Sequence, residues 1–252
     1  MEEKLNNILF GLLGKNISYS FSKTYFSKKF TNLQLTNHKY VNFDIENIED
    51  FLEILSKYKK SLKGCNVTIP YKESIFNYLH EIDRTASEIG AVNTIKFSSD
   101  GKLVGYNTDV VGFEKSLIPL LKTHHTKALI LGTGGASKAV AYVLKKIDID
   151  YFKVSRNPKD NLAIAYADIS NQLLNEYSLI INCSPLGTFP NINEKPMIPY
   201  QFLTSKHLLY DLIYNPVETA FLIEGKKRGT QVKNGLEMLE LQAEESWRIW
   251  NK

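Results

Sequence analysis

A lysine that follows a short apolar segment is the first candidate for a catalytic group. Residues 65–69 read as a β-strand, and Pro70 ends it because proline cannot donate to a strand ladder. Lys72 then lies in a strand-to-helix turn, where loops on a rigid scaffold often carry function. A lone lysine in such a place is more often an ordinary surface residue. The case for Lys72 as a catalytic group therefore depends on the polar side chains that accompany it.

The first half of the chain carries further polar side chains at predicted strand ends or in the loops after them. Each one alone is more typical of a cap or a turn, and Asp109 could simply cap a helix that begins at Val110. Together they describe a site of neutral hydrogen-bonding groups with one cation and one anion. Such a site suits a polyhydroxylated small molecule that carries a carboxylate. The set is Ser20, Ser22, Asn66, Thr68, Lys72, Asn93 and Asp109.

A glycine-rich turn dominates the second half. It follows a predicted strand at 128–131, precedes a predicted helix at 137–146, and another strand follows at 151–154. Small residues allow close backbone approach and a helix N-terminus favours negative charge, so this unit predicts a pyrophosphate site of a dinucleotide. An ordinary structural turn is the alternative for the glycines alone. The candidate residues are Gly132, Gly134, Gly135 and Ala136.

The end of the strand at 151–154 indicates which dinucleotide. An NAD site usually has an acidic residue at this point for the ribose hydroxyls. The chain instead has Ser155 and Arg156, and a guanidinium suits a 2′-phosphate and stacks on adenine. Although Arg156 could be a solvent-facing arginine, its position favours NADP.

Composition excludes several classes of protein. The chain has 252 residues, 43% of them hydrophobic and 23% charged, with a net charge of +4. These values are ordinary for a globular protein of one or two domains, and the mild charge predicts no nucleic-acid partner. No apolar segment approaches the ~20 residues of a membrane helix. No signal peptide is visible, so we expect a cytoplasmic protein.

Cysteine and histidine usage is consistent with that expectation. The two cysteines, Cys65 and Cys183, are too few for a disulfide framework and suit reduced, buried thiols. The five histidines have no spacing typical of a metal site. We therefore expect no metal.

The elements that must position these residues alternate along the chain. The first half predicts an α/β domain with a mixed sheet, because Asp100-Gly101 signals an antiparallel hairpin after several strand–helix alternations. The domain boundary is placed near Thr108. Predicted strands are 8–13, 40–43, 65–69, 90–97 and 103–106, with helices at 23–35, 47–58, 73–79 and 83–89.

The second half repeats strand and helix but has one irregular point. Between the strand that ends near Ser155 and the apolar run 163–167 there are too few residues for a helical crossover, so we expect an irregular loop at 157–161. The remaining predictions are helices at 110–121, 218–227 and 236–250 and strands at 178–182, 208–211 and 232.

Taken together and in order, these motifs resemble the shikimate dehydrogenase family over nearly the whole chain. The loop at 157–161 is shorter than the segment where that family commonly has a helix. The matching motifs are Ser20-x-Ser22, Asn66-Val67-Thr68-Ile69-Pro70-Tyr71-Lys72, Gly90-Ala91-Val92-Asn93-Thr94, Gly105-Tyr106-Asn107-Thr108-Asp109-Val110-Val111-Gly112, the glycine-rich turn, Asn182-Cys183-Ser184-Pro185-Leu186-Gly187, Tyr210-Asp211-Leu212-Ile213-Tyr214, Asn234-Gly235-Leu236-Glu237-Met238-Leu239 and Gln242-Ala243.

The resemblance implies a two-domain enzyme that reduces 3-dehydroshikimate with NADPH. A mixed-sheet α/β substrate domain would span 1–108 and be completed by 235–252, where the C-terminal helix returns to it. A Rossmann-like NADP-binding domain would span 109–234. The implied partners are the small-molecule substrate and NADP, with no nucleic acid and no membrane, and a monomer or homodimer is expected.

The resemblance also implies roles for individual residues. Lys72 and Asp109 would be the catalytic pair, with Lys72 donating to the reacting C3 oxygen. The carboxylate of the substrate would be held by Ser20, Ser22 and Tyr214. Its hydroxyls would be held by Asn66, Thr68, Asn93 and Gln242. The nicotinamide would be bordered by Leu212, Gly235 and Met238.

Two alternatives stay open at this point. One is a sister enzyme that accepts quinate or prefers NAD, since sequence alone does not exclude the extra hydroxyl of quinate. The other is a non-catalytic homologue that senses the metabolite. Such a sensor would be free to lose Lys72 or Asp109, and this chain has both.

Overall fold

The computed structural model describes residues 7–18, 20–158 and 161–252, and the chain divides into two compact units. The first unit comprises Met1–Thr108 and Ala243–Lys252, and the second comprises Asp109–Gln242. The division after Thr108 falls where the sequence predicts a domain boundary. At the C-terminus the observed units differ from the predicted domains. Residues 235–242 fall in the second unit, whereas the sequence predicts that 235–252 belong to the first domain.

The first unit contains a six-stranded mixed sheet in the order β2-β1-β3-β5-β6-β4. β1 pairs in parallel with β2 and β3, whereas β5 runs antiparallel to both β3 and β6. The strands are β1 (Ile8–Gly14), β2 (His38–Asp44), β3 (Leu62–Val67), β4 (Glu81–Ile82), β5 (Thr94–Phe97) and β6 (Leu103–Tyr106). The helices are α1 (Phe21–Asn32), α2 (Phe51–Tyr58) and α3 (Arg84–Ile89), with 3-10 turns at Ile48–Asp50 and Ser74–Tyr78.

The second unit contains a six-stranded parallel sheet in the order β12-β11-β10-β7-β8-β9. Numbered within the unit, this is the 3-2-1-4-5-6 order of the doubly wound dinucleotide-binding fold, read from the opposite edge. Its strands are β7 (Lys127–Leu131), β8 (Asp150–Ser155), β9 (Ala163–Ala165), β10 (Leu179–Asn182), β11 (Leu208–Asp211) and β12 (Gln231–Lys233). Its helices are α4 (Asp109–Leu117), α5 (Gly135–Lys146), α6 (Asn171–Glu176), α7 (Ala220–Lys227) and the start of α8 (Leu236–Trp250).

Both predictions of fold class are confirmed: a mixed α/β sheet in the first half and a Rossmann-like sheet in the second. The long terminal helix begins and ends where the sequence predicts. In the part of the chain that the structure describes, no helix is long and apolar enough to cross a membrane.

The two faces of the first sheet are covered by different cores. Side chains alternate along a strand, so Leu9 and Leu13 of β1 join one cluster with α2, whereas Phe10 and Leu12 join another. The second cluster is aromatic and includes Phe26 of α1 together with Tyr40, Ala243 and Trp250. The end of α8 therefore belongs to the core of the first unit.

Gly64 allows α8 to approach the sheet closely. A Cβ atom at Gly64 would lie 2.3 Å from the indole nitrogen of Trp250. That nitrogen donates to the carbonyl of Ile95 at 3.0 Å. Since only glycine leaves room for the indole here, the last turn of α8 is fixed against β3 and β5.

Several predicted bounds are wrong by a few residues. β3 ends at Val67 and not at Ile69, because residues 68–71 form a turn in which Tyr71 N donates to Thr68 O at 2.9 Å. The strand predicted to start at Gly90 starts at Thr94, because Gly90 ends α3 with a positive φ of 72°. The helix predicted to reach residue 121 ends at Leu117 and continues as a 3-10 turn. Neither β4 nor α6 was predicted.

The connection between β8 and β9 is short for a parallel pair. Lys153 pairs with Ala163 and Ser155 pairs with Ala165. The described residues between the two strands form no helix, as the sequence predicts; Lys159 and Asp160 lie outside the described residues. The connection between these parallel neighbours is therefore shorter than the usual helical crossover.

Candidate functional site

Asn66 is at the centre of a buried hydrogen-bond network in the first unit. It lies in β3 directly opposite Thr94 of β5, and only 8% of its surface is exposed. Its amide nitrogen donates to Thr94 Oγ1 at 3.0 Å and to Asn93 O at 3.3 Å. Its amide oxygen accepts from the Tyr40 hydroxyl at 2.9 Å. Both ends of the amide are therefore held by the protein.

Asn93, in the segment before β5, is held in the same way through its amide oxygen. Asn93 Oδ1 accepts from Thr108 N at 2.7 Å and from the hydroxyls of Thr94 and Thr108, each at 3.1 Å. Asn93 is 2% exposed and Thr94 is fully buried. Two predicted substrate-binding amides, Asn66 and Asn93, are thus connected through one hydroxyl, that of Thr94.

Ser246 of α8 completes this network. Its hydroxyl lies 2.9 Å from Asn66 Nδ2, 2.9 Å from Thr94 Oγ1 and 3.3 Å from Thr108 Oγ1. Ser246 is fully buried and precedes Trp250 by one helical turn, so the contact of Trp250 with the sheet also brings Ser246 into place. Ser246 was not among the site residues predicted from the sequence.

The predicted carboxylate-binding serines lie at the start of α1. Ser20 is at the N-cap position, and both Ser20 and Ser22 are half-buried. The Ser22 side chain is a hydrogen-bond partner of the Tyr40 hydroxyl, an interaction that lowers the pKa of Tyr40, although burial raises that pKa well above its ordinary value. Because Tyr40 donates to Asn66, the structure brings Ser22, Tyr40 and Asn66 into one chain of contacts.

Thr68 and Lys72 bracket the turn that ends β3. Both side chains are half-buried. The Thr68 amide donates to Leu13 O at 2.9 Å, and the Lys72 carbonyl accepts from Val92 N at 2.8 Å. The second bond fixes the Lys72 backbone beside the segment that carries Asn93.

Asp109, Gln242 and Met238 lie in the second unit on two neighbouring helices. Asp109 begins α4 and is 4% exposed. Gly112, three residues later on the same face, approaches α8 so closely that a Cβ atom would lie 2.4 Å from Met238 O and 3.2 Å from Gln242 Cβ. The predicted residue Tyr214 is half-buried in the loop after β11 of the same unit.

The glycine-rich turn has the geometry that a pyrophosphate requires. It connects β7 to α5, and Gly132 has a φ of +110°, which side chains rarely adopt. A Cβ atom at Gly134, the N-cap of α5, would meet no atom within 4 Å. Since the protein itself does not fill this space at the helix N-terminus, the turn fits a dinucleotide phosphate.

Ser155 and Arg156 lie at the carboxyl end of β8, next to β7 in the sheet. Ser155 is half-buried and accepts from Asn157 N at 3.2 Å, whereas Arg156 is exposed. The positive charge of Arg156 acts on Tyr166 and lowers its pKa, although burial of Tyr166 has the larger and opposite effect. An exposed guanidinium at this position is available to an anionic ligand.

Asp211 organises the loops at the ends of β10 and β11. Its fully buried carboxylate accepts from Asn182 Nδ2 at 3.0 Å, from Ile213 N at 3.1 Å and from Thr219 Oγ1 at 2.5 Å. Burial raises the pKa of Asp211 to about 6, and its three hydrogen bonds oppose that rise. Asp211 was not among the predicted site residues.

These loops carry two predicted nicotinamide contacts. Leu212 directly follows Asp211, and its amide donates to Asn182 O at 3.0 Å. Gly235 is buried against it, because a Cβ atom at Gly235 would lie 2.1 Å from Leu212 O. The Asp211 network therefore fixes the backbone that carries Leu212 and meets Gly235.

Comparisons with known proteins agree with this architecture. The family profile described as the shikimate dehydrogenase substrate binding domain matches residues 12–95. The shikimate dehydrogenase (NADP(+)) of Methanococcus vannielii is 38% identical over 263 aligned positions, which cover 96% of this chain and 91% of that protein. This chain belongs to the shikimate dehydrogenase family. The family predicted from the sequence motifs is therefore confirmed.

Solved structures support the same assignment. A chorismate mutase/shikimate 5-dehydrogenase fusion protein from Clostridium acetobutylicum is 36% identical, with a TM-score of 0.87, covering 98% of this chain and 91% of that one. The Thermus thermophilus shikimate 5-dehydrogenase, solved in complex with NADP(H) and shikimate, is 29% identical, with a TM-score of 0.84, covering 96% of this chain and 93% of that one.

Four participants in the first-unit network were not predicted from the sequence. Thr94 and Thr108 are parts of the family motifs but were not among the predicted site residues. Tyr40 lies in a predicted strand, and no motif in that strand indicates a role in the site. Ser246 alone had a sequence feature that could have identified it, because it is a small polar residue on the face of α8 that includes the buried Ala243 and Trp250.

Proposed function

We propose that the polar network around Asn66 and Asn93 binds the hydroxyls of 3-dehydroshikimate and shikimate. The observation that carries the proposal is a pair of buried amides, held at fixed positions by neutral hydroxyls beside the Lys72 turn. A polyhydroxylated ligand needs neutral donors and acceptors at fixed positions, because a misplaced partner leaves a buried polar group unsatisfied. Thr68 and Gln242 are proposed as further hydroxyl ligands, and Ser20, Ser22 and Tyr214 as carboxylate ligands.

As a member of this family, the chain is an NADP-dependent oxidoreductase that interconverts 3-dehydroshikimate and shikimate. NADPH, when bound, supplies the hydride that reduces the C3 carbonyl carbon. The residues proposed to hold it are Gly132, Gly134, Gly135 and Ala136 at the pyrophosphate, Ser155 and Arg156 at the 2′-phosphate, and Leu212, Gly235 and Met238 at the nicotinamide.

Lys72 is proposed to supply the proton. As the carbonyl carbon is reduced, negative charge develops on the C3 oxygen and needs a donor already in place. The Lys72 ammonium donates its proton to that oxygen, which becomes the shikimate hydroxyl. Asp109 is predicted to orient Lys72 and to accept from the neighbouring hydroxyl.

The catalytic roles are tested by Lys72→Ala and Asp109→Asn. We expect each to lower kcat at least about a hundredfold, the contribution typical of a positioned general acid or its partner. Lys63→Ala removes an exposed lysine of β3 and serves as the matched control. The measurement is NADPH formation from shikimate, with a thermal melt for each variant. Near-normal kcat in a folded variant would show that its role is wrongly assigned.

The cofactor assignment is tested by Arg156→Ala. We expect the KM for NADP to rise about tenfold or more, because a charge-assisted contact with the 2′-phosphate is lost, while turnover with NAD is unchanged. Arg228→Ala, an exposed arginine before β12, is the control. An equal effect on NADP and NAD would assign Arg156 a different role.

The alternatives left open by the sequence are not favoured. The relatives reported above are named shikimate dehydrogenases, and the chain keeps both Lys72 and Asp109. A cytoplasmic location, a monomeric or homodimeric state and the lack of a nucleic-acid partner remain predictions from the sequence.

A further inference from the structure

We propose that Thr94 and Ser246 are positioning residues, which hold the Asn66 and Asn93 amides so that Asn66 accepts from, and Asn93 donates to, the hydroxyls of the substrate. This inference rests on the proposed function and adds a hydrogen-bond polarity to it. It also gives the C-terminal helix a role in substrate recognition through a residue that does not itself touch the substrate.

Two backbone groups determine which way each amide faces. A backbone carbonyl only accepts, so the Asn66 atom 3.3 Å from Asn93 O is the nitrogen. A backbone N–H only donates, so the Asn93 atom 2.7 Å from Thr108 N is the oxygen. The orientation of both amides therefore follows from the path of the chain.

The Thr94 hydroxyl connects the two amides. It accepts from Asn66 Nδ2 at 3.0 Å, so its own proton is directed to Asn93 Oδ1 at 3.1 Å. One oxygen atom is thus within hydrogen-bond distance of both amide side chains. Any displacement of Thr94 Oγ1 would therefore move Asn66 and Asn93 together.

The Ser246 hydroxyl is one of three acceptors around the two protons of Asn66 Nδ2; the other two are Thr94 Oγ1 and Asn93 O. It lies 2.9 Å from Asn66 Nδ2 and donates in turn to Thr94 or Thr108, at 2.9 and 3.3 Å. With these contacts, the Asn66 nitrogen is used within the protein. Its oxygen, which accepts from Tyr40, has a second lone pair for a substrate hydroxyl.

The Asn93 oxygen already accepts three hydrogen bonds within the protein, from Thr108 N and from the hydroxyls of Thr94 and Thr108. The Asn93 nitrogen only donates, and one of its two N–H groups is enough to meet a substrate hydroxyl. A substrate hydroxyl both donates and accepts, so it can pair with either amide, whereas a group that only accepts, such as a ketone or ether oxygen, cannot pair with Asn66 Oδ1.

The test pairs a variant that lacks the hydroxyl with one that keeps it. Thr94→Val retains the shape of the side chain, and we expect the KM for shikimate to rise about tenfold, with kcat reduced less and the KM for NADP within about twofold of wild type. Thr94→Ser keeps the hydroxyl and should restore the KM for shikimate to within about threefold. A purely structural role for Thr94 would not separate the two substrates in this way.

Ser246→Ala provides the second, independent variant. We expect the KM for shikimate to rise about threefold to tenfold, and the double variant with Thr94→Val to show less than the product of the two single effects, because both act on Asn66. Tyr200→Phe is the matched control: it removes a buried hydroxyl that donates to Pro196 O at 2.7 Å in the second unit, and it should lower the melting temperature without changing the KM for shikimate.

The outcomes separate the inference from the proposed function. Wild-type turnover of shikimate with NADP, combined with an unchanged KM for shikimate in both Thr94→Val and Ser246→Ala, would overturn the inference and leave the proposed function intact. Thr94→Ser failing to restore KM would also overturn it. A wild-type chain that neither turns over nor binds shikimate in calorimetry would overturn both.

Discussion

The first unit buries its polar groups as a network of neutral side chains, whereas the second unit buries a carboxylate. In the first, the amides of Asn66 and Asn93 share hydroxyl partners contributed by β5, by Thr108 and by α8. In the second, Asp211 alone receives the hydrogen bonds of Asn182, Ile213 and Thr219. Each network lies at the end of its sheet where function is proposed.

The difference affects what each network can tolerate. A neutral network distributes its hydrogen bonds over several hydroxyls, so the loss of one leaves most partners satisfied. A single buried carboxylate serves three donors at once, so its removal takes an acceptor from all three. We therefore expect changes in the first network to alter substrate affinity and changes in the second to alter folding.

Asp211→Ala should have the largest effect on stability. It removes the acceptor of two side-chain donors and one backbone N–H, and we expect the free energy of unfolding to fall by about 3–5 kcal/mol. Urea denaturation measures this change. The matched variant in the first unit, Thr94→Val, should cost about 1–2 kcal/mol. Equal losses of unfolding free energy in the two variants would contradict the proposed difference between the single carboxylate and the neutral network.

The pH dependence of stability sharpens the comparison, because only the second network contains a group that titrates in the acid range. The pKa of Asp211 is raised from 3.8 to about 6, so between these values the folded chain binds more protons than the unfolded chain. The contribution of Asp211 to stability is therefore greatest at the acid end and is lost as pH rises, by up to about 3 kcal/mol.

Asp211→Asn isolates this contribution. The unfolding free energy of wild type, minus that of Asp211→Asn, should fall as the pH rises from about 4 to about 7. Burial raises the pKa of both neighbours, Cys183 and Tyr200, above their ordinary values, so neither titrates across this range. Parallel pH profiles for the two proteins would contradict the assignment.

Gly64→Ala should lower stability less than Asp211→Ala does, and it affects the first network from a distance. Its Cβ would collide with the Trp250 indole, and such overpacking costs about 1–3 kcal/mol. Because Ser246 is one turn from Trp250, we also expect the KM for shikimate to rise while the KM for NADP stays constant. Gly229→Ala is unsuitable as a control because its φ is positive; Ala167→Gly, at an exposed position in the second unit, serves instead.

Much of the second unit could be predicted from sequence because its signals are local. The glycine-rich turn lies between a buried strand and an amphipathic helix, and Ser155-Arg156 follows the next strand directly. Such features depend on residues that are neighbours in the chain. The role of Asp211 was not predicted, since a carboxylate in an apolar strand does not reveal which donors will surround it.

Much less of the first network could be predicted. Asn66 and Asn93 were selected, but the hydroxyls between them were not. Asn66 and Ser246 are 180 positions apart, and Thr94 and Ser246 are 152 apart. No periodicity in either segment could predict a contact between residues so far apart in the chain. The bounds of β3 were misplaced for a related reason, because the turn at residues 68–71 is closed by backbone hydrogen bonds.

By itself, the sequence determined the family, the two kinds of sheet, the candidate lysine and the turn for the dinucleotide phosphate. These follow from residue type, local spacing and the period of hydrophobic residues. Only the tertiary structure decided which atoms of Asn66 and Asn93 face inward and that the last helix supplies Ser246. Hydrogen-bond direction depends on partners brought together by packing, here by an indole that fits against a glycine.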